Sequence, residues 1–232
     1  MVPALQASPE PHGGEMHTFS RANILGRYRC YRDLRKDIQS TALENVPRAS
    51  FLDYAKRVGL SDGKVLFTDD FVELTLAFDL ALYTARAGRM RGIDRCARRR
   101  MKTAPPDEVL VLEGLQASWF SIFRAIGRCE PAGVLLEDLM RGGTIALVDE
   151  GLEQSAKPGD VFAMRVAPVE DFVMTCGAVA PMEADTIEAA INFFAESAPD
   201  AKLADLVDDW RFIASLYKLA IEYGLMSSLA YQ

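Results

Sequence analysis

Beyond Pro105-Pro106 the apolar residues fall into short runs cut off by turn formers: Val109 and Val111, Phe120 and Ile122, Val134, Ile145 and Leu147, Phe162, Met164 and Val166, then Val173 and Val179. Short runs of β-branched and aromatic residues bounded by turns are strand signals, and a chain with this rhythm cannot be all helix. Arg141-Gly142-Gly143 supplies positive φ for a hairpin, Lys157-Pro158-Gly159-Asp160 is a strong turn, and Glu170-Asp171 separates two runs of period-two alternation. Five strands result, at residues 117–128, 133–139, 144–149, 160–168 and 172–179. In the first, Trp119, Phe120, Ile122, Phe123 and Ile126 also fit a buried helix, and strand is the preferred reading. Consecutive short strands with tight turns make an antiparallel meander, and curling it into a small barrel buries one face and hides its edges. In the fourth strand Phe162, Met164 and Val166 then face inward and Arg165 outward.

Ahead of the two prolines the period is helical. Residues 16–42 place Phe19, Ile24, Tyr28, Tyr31, Leu34 and Ile38 on one irregular stripe. Ser50-Phe51-Leu52-Asp53 has the form of a capping box for a short helix over residues 51–58, ended by Gly59. Asp69 or Asp70 opens a helix whose Phe71, Leu74, Phe78, Ala81 and Leu82 share a face, and residues 94–102 form another, stopped by Pro105-Pro106. Past the strands, Asp185 caps a helix to about residue 196, and a longer helix runs over residues 202–223 with Leu206, Trp210, Ile213 and Tyr217 in its apolar stripe.

The expected class is therefore α+β: a helical lobe at residues 16–104, a central five-stranded antiparallel small barrel or meander at 105–181, and two C-terminal helices at 182–232 packing on the core, after a disordered tail at 1–15. With 232 residues, half of them hydrophobic, the chain can bury a large core. No apolar stretch approaches the roughly 20 residues of a spanning helix, and the N-terminus lacks the pattern of an export signal. Four cysteines, Cys30, Cys96, Cys129 and Cys176, are spaced too widely for a C-x-x-C pair and read as reduced thiols, so a cytoplasmic location is expected.

Charge is unevenly divided. Residues 1–102 carry 18 Lys and Arg against 12 Asp and Glu, whereas residues 103–232 carry 8 against 21. Cations concentrate at Arg86, Arg89, Arg91, Arg95, Arg98, Arg99, Arg100 and Lys102, opposed there only by Asp94. Packed on one surface these would neutralise several phosphates of a nucleic acid. The preferred alternative is that they complement the acidic second half of the same chain or a partner, because a net charge of −7 repels phosphate at long range. Asp138, Asp149, Glu150, Glu153, Asp160, Glu170 and Asp171 make the strand region a poor phosphate binder.

Catalytic signatures are missing. The two histidines, His12 and His17, lie in or beside the tail, which argues against Ser-His or Cys-His catalysis; no P-loop, no nucleophile elbow and no dinucleotide fingerprint occurs. No Cys or His pairs at zinc-ligand spacing, so no metal or other cofactor is expected. Asp69, Asp70 and Glu73, or Asp205, Asp208 and Asp209, offer oxygen ligands for Mg²⁺, but the first set reads better as a helix cap and the second as a solvated helix face. Trp119 and Trp210 read as core rather than as ligand platforms.

Leu136-Glu137-Asp138-Leu139, Ile145-Ala146-Leu147-Val148-Asp149, Pro158-Gly159-Asp160-Val161-Phe162-Ala163-Met164-Arg165-Val166 and Gly177-Ala178-Val179-Ala180-Pro181 together resemble a small β-barrel module of uncharacterised bacterial proteins, over about a third of the chain. The resemblance implies no activity, cofactor or catalytic residue, and the cysteine-rich metal motif beside some similar barrels is missing here. The expectation is a non-enzymatic interaction protein that presents a charge-segregated surface to a protein partner or to a second copy of itself, without contacting a membrane. Nucleic-acid binding through residues 86–102, and a hydrolase or transferase with a carboxylate-based cleft between the lobes, are the alternatives.

Overall fold

Ser20 starts the first helix by accepting the Asn23 N–H on its hydroxyl, and α1 (Arg21–Glu44) then buries Tyr28, Tyr31, Arg35, Ile38 and Ala42 on one face. The structure is a computed structural model that describes residues 20–85, 88–195 and 202–228; the tail expected at 1–15, the helix start expected at Met16, and Arg86 lie outside the described residues. α2 (Arg48–Arg57) begins straight after Pro47, so Ser50 sits inside the helix rather than capping it. Asp70 caps α3 (Phe71–Tyr83), as its sequence position suggested. α4 (Gly92–Arg100) is followed by α5 (Pro106–Gln116), a helix that the strand reading of Val109 and Val111 missed. Pro105-Pro106 stops one helix and also opens the next, because a proline at the first helical position lacks only an N–H that has no partner there anyway. In α5 the buried Glu108, Val111, Leu112 and Leu115 recur at helical spacing.

The five strands are β1 (Trp119–Arg128), β2 (Val134–Asp138), β3 (Thr144–Leu147), β4 (Val161–Val169) and β5 (Phe172–Met182). Each falls within two or three residues of its expected place. The hydrogen-bonded order is β1-β2-β3-β5-β4, with β4 pairing back onto β1. The sheet is mixed, not purely antiparallel, since β3 and β5 run parallel through Leu147 and Val173. A short helix, α6 (Glu150–Ser155), causes this: it carries the chain away from β3, so that β4 joins β1 and the following hairpin lays β5 beside β3 in the same direction.

Three α-helices, α7 (Ala184–Ala195), α8 (Leu203–Leu206) and α9 (Trp210–Glu222), and a 3₁₀ helix at Leu225–Ser228 end the described chain. The single long helix expected at 202–223 is broken at residues 207–209, where Asp209 accepts the Arg211 N–H and caps a new start. No helix of the described residues is long and apolar enough to cross a membrane.

Phe123, Leu136, Leu147, Met164 and Val166 fill the inside of the closed sheet. Outside it, α2, α3, α7 and α9 pack over Phe120, Ala163 and Ala178, while α1, α4 and α5 pack over Ala167, Val169 and Phe172. Phe162, Met164 and Val166 point inward as expected, and Arg165 points the other way. That outer face is not solvent, however: α3 covers it, and Arg165 meets Asp79 there.

Candidate functional site

The charge division of the sequence is largely resolved inside the molecule. Arg27 of α1 donates to Glu170 at 2.6 Å and to Asp171 at 2.8 Å, Arg21 reaches Glu153 at 2.6 Å, and Arg29 holds Glu150 at 2.6 Å. The Arg29 hydrogen bond keeps the Glu150 carboxyl below the usual carboxylate range. The basic first helix therefore lies along acids contributed by the second half of the chain.

The basic segment fares similarly. Of its seven described cations, four donate to acceptors of this chain: Arg91 to Asp94 and the Gln116 carbonyl, Arg95 to the Met90 carbonyl, Arg99 to Asn45, and Arg100 to Glu108, Thr41 and Asp37. The Glu108 hydrogen bond and the Asp37 pair raise the proton affinity of Arg100 above the ordinary value. Arg89, Arg98 and Lys102 are exposed. The segment is thus a clamp from α4 to α1 and α5 with four cations, Arg99 among them, still at the surface.

Four of the six carboxylates weighed as metal ligands are caps or ion-pair partners. Asp70 accepts the Val72 N–H, Asp209 the Arg211 N–H, Asp205 the Lys202 N–H, and Asp208 pairs with Arg141 at 2.6 Å. Among the described residues no three His, Cys, Asp or Glu are grouped to hold a metal ion. A cleft of about 630 Å³ does lie between α1, α6 and the β4–β5 hairpin, lined by Asp149, Glu150 and Asp160. Each of these is engaged: Asp149 accepts from Gly151, Leu152, Tyr28 and Thr175, Glu150 from Arg29, and Asp160 from the Lys157 N–H. Trp119 and Trp210 are both partly buried, and the Arg57 guanidinium lies 3.9 Å from the Trp210 ring centroid.

What sequence reasoning missed is an exposed aromatic loop. Val65, Phe67 and Phe71 are 54%, 64% and 70% exposed, and Leu66 adjoins them. The loop is held in shape: Ser61 bridges Leu66, the Phe67 N–H donates to the Leu60 carbonyl at 2.9 Å, and the Asp62 carboxylate accepts the Lys64 and Val65 N–H groups at 2.7 and 2.9 Å. Those backbone donors lower the Asp62 pKa. Phe71, on the same helix face as Phe78, is the outer end of an aromatic row through Phe78 to Phe51, with ring centroids 6.2 and 5.2 Å apart. Asp62, Asp69, Asp70 and Glu73 flank the row in the sequence, with Lys64 among them and Lys56 beside Asp62 and Gly63. The one available signal was the consecutive Val65-Leu66-Phe67 between two turns, at the wrong length for a strand.

Residues 22–229 match the model of a family of unknown function, DUF7986. No curated protein matches the chain, and no solved structure does.

Proposed function

We propose, from the premise that the chain belongs to the DUF7986 family of unknown function, that it is a non-enzymatic interaction protein whose binding surface is the aromatic loop over residues 61–73. The observation that carries the reading is the exposure of Val65, Phe67 and Phe71 on backbone pinned by the Asp62 turn. A pinned loop binds with little ordering entropy, and large apolar side chains kept in water by a fixed loop mark interaction sites. The acids Asp62, Asp69, Asp70 and Glu73 outnumber Lys56 and Lys64 around the loop, and this excess selects the partner: a protein segment with apolar side chains flanked by Lys or Arg. Charge segregation, the original argument for an interaction protein, is replaced by this patch, since α1 and α4 use most of their arginines within the chain.

The test is fluorescence anisotropy of two labelled amphipathic helical peptides, one of lysine and leucine and one of glutamate and leucine, against the pure protein. The expected result is salt-sensitive binding of the lysine peptide alone, lost in the Phe67→Ser, Phe71→Ser double variant, whose circular dichroism stays that of the parent. Equal binding of both peptides, or binding unchanged in the double variant, refutes it.

A further inference from the structure

Arg35 is only 6% exposed, yet no carboxylate lies within ion-pair distance of it among the described residues. Its Nη1 donates to the Thr175 carbonyl at 3.0 Å, and its Nε is buried with no acceptor. The guanidinium is charged at every accessible pH, and a buried charge without a partner is costly, so such groups are paired or coordinate something. Every other arginine of α1 has a carboxylate within 4 Å: Arg21, Arg27, Arg29 and Arg32. Arg35 lines the cleft between α1, α6 and the β4–β5 hairpin together with Arg32, whose carboxylate partners are Asp33 and Glu150.

The acid in the same lining makes no hydrogen bond to Arg35. Asp149 has its four accepting positions taken by the Tyr28 and Thr175 hydroxyls and by the Gly151 and Leu152 N–H groups. Facing Arg35 across the strand is Gly177, at φ +110°, where a Cβ would stand 2.8 Å from Nη1. The strand thus leaves open the space that the guanidinium occupies, and residues with side chains are strained at that φ.

We infer that the cleft is a binding site for a small organic monoanion, a carboxylate with an apolar body, whose charged end pairs with Arg35. The number of charges argues for one negative charge: the lining holds Arg32, Arg35, Lys36 and Lys157 against Asp149, Glu150 and Asp160, a net +1. A dianionic phosphate would leave the site negative. The remaining wall argues for the apolar body, since Leu152, Phe162, Val179, Pro181 and Met182 line the same cleft. A volume of about 630 Å³ lies in the range that holds a ligand of drug size. This site lies on elements other than the aromatic loop, so neither reading depends on the other.

The experiment is calorimetric titration of the full chain with decanoate, with decanamide as the uncharged body of equal length, and with inorganic phosphate as an anion without the body. The expected order is decanoate tightest, and Arg35→Met weakens decanoate by about 10- to 100-fold, the loss of one charge-assisted pair, while leaving decanamide unchanged. Decanoate binding unaltered in Arg35→Met, or phosphate binding more tightly than decanoate, overturns the assignment. Because Arg35→Met can impair folding, the wild-type protein provides a second reading: in a ¹⁵N-arginine sample, the Arg35 Nε–H resonance should move and saturate with decanoate. A resonance that stays put through the titration overturns the proposal without any variant.

Discussion

Arg165 Nε donates to Asp79 Oδ1 at 2.9 Å between side chains that are 6% and 2% exposed, which joins β4 to α3 through a sealed ion pair. The rings of Tyr83 and Phe120 lie 4.8 and 5.8 Å from the guanidinium carbon. Burial alone disfavours the cation, and Asp79 more than offsets this, so the proton affinity of Arg165 ends above its ordinary value.

Removing one partner is therefore far worse than removing both. Asp79→Leu leaves a buried cation and is expected to lower stability by about 3–5 kcal/mol. Adding Arg165→Met to it, which turns the contact apolar, is expected to restore most of that loss. Urea unfolding of the two variants beside the parent reads both values. A double variant as unstable as Asp79→Leu would show that the pair, and not the orphaned charge, is what matters.

Gly114 separates helix propensity from packing. In a free helix Gly→Ala gains about 1 kcal/mol. Here a Cβ would overlap the Pro168 carbonyl oxygen and lie 2.9 Å from Val169 Cγ2, and a strand carbonyl cannot swing aside. Gly114→Ala is expected to cost about 1–3 kcal/mol net. Gly26→Ala in α1, where nothing lies within 4 Å of the added carbon, is expected to raise the melting temperature. Shifts of the same sign in both variants would contradict the close approach of α5 to β4.

The four free thiols should react in order of access. Cys30 is exposed, Cys129 partly buried, and Cys96 and Cys176 buried. Burial raises the Cys96 thiol and pushes Cys176 up to about 11, so neither forms much thiolate near neutral pH. At pH 8 an aromatic disulfide reagent is expected to titrate Cys30 quickly and Cys129 more slowly, with the other two released only in denaturant. Four thiols reacting in a single fast phase would refute this placement.

Strand positions were legible because period-two runs and glycine turns are local signals, and β1 to β5 all register in them. Helix α5 was hidden because Pro105-Pro106 was read only as a stop, and α6 because six residues are too few to show a period. The parallel β3–β5 pair follows from α6, so missing one meant missing the other. Long-range pairing was the least legible. Arg27 and Asp171 are 144 residues apart, and counting charge in two halves of a chain measures their difference without showing that they meet. In the sequence Arg35 is one cation among Arg27, Arg29, Arg32 and Lys36; its burial and its unpaired Nε are properties of the cleft, and no spacing in the sequence encodes them.

The parallel contact between Leu147 and Val173, with Val148 donating to the Val173 carbonyl at 2.8 Å, is the slimmest junction in the strand order, and past it the Thr175 and Cys176 carbonyls of β5 accept from the Arg35 and Gln39 side chains of α1 instead. A sheet finished in this way offers other chains little template for edge-to-edge addition. Side chains of one helix thus help to guard the protein against polymerising through a strand that its own sheet leaves partly unpaired.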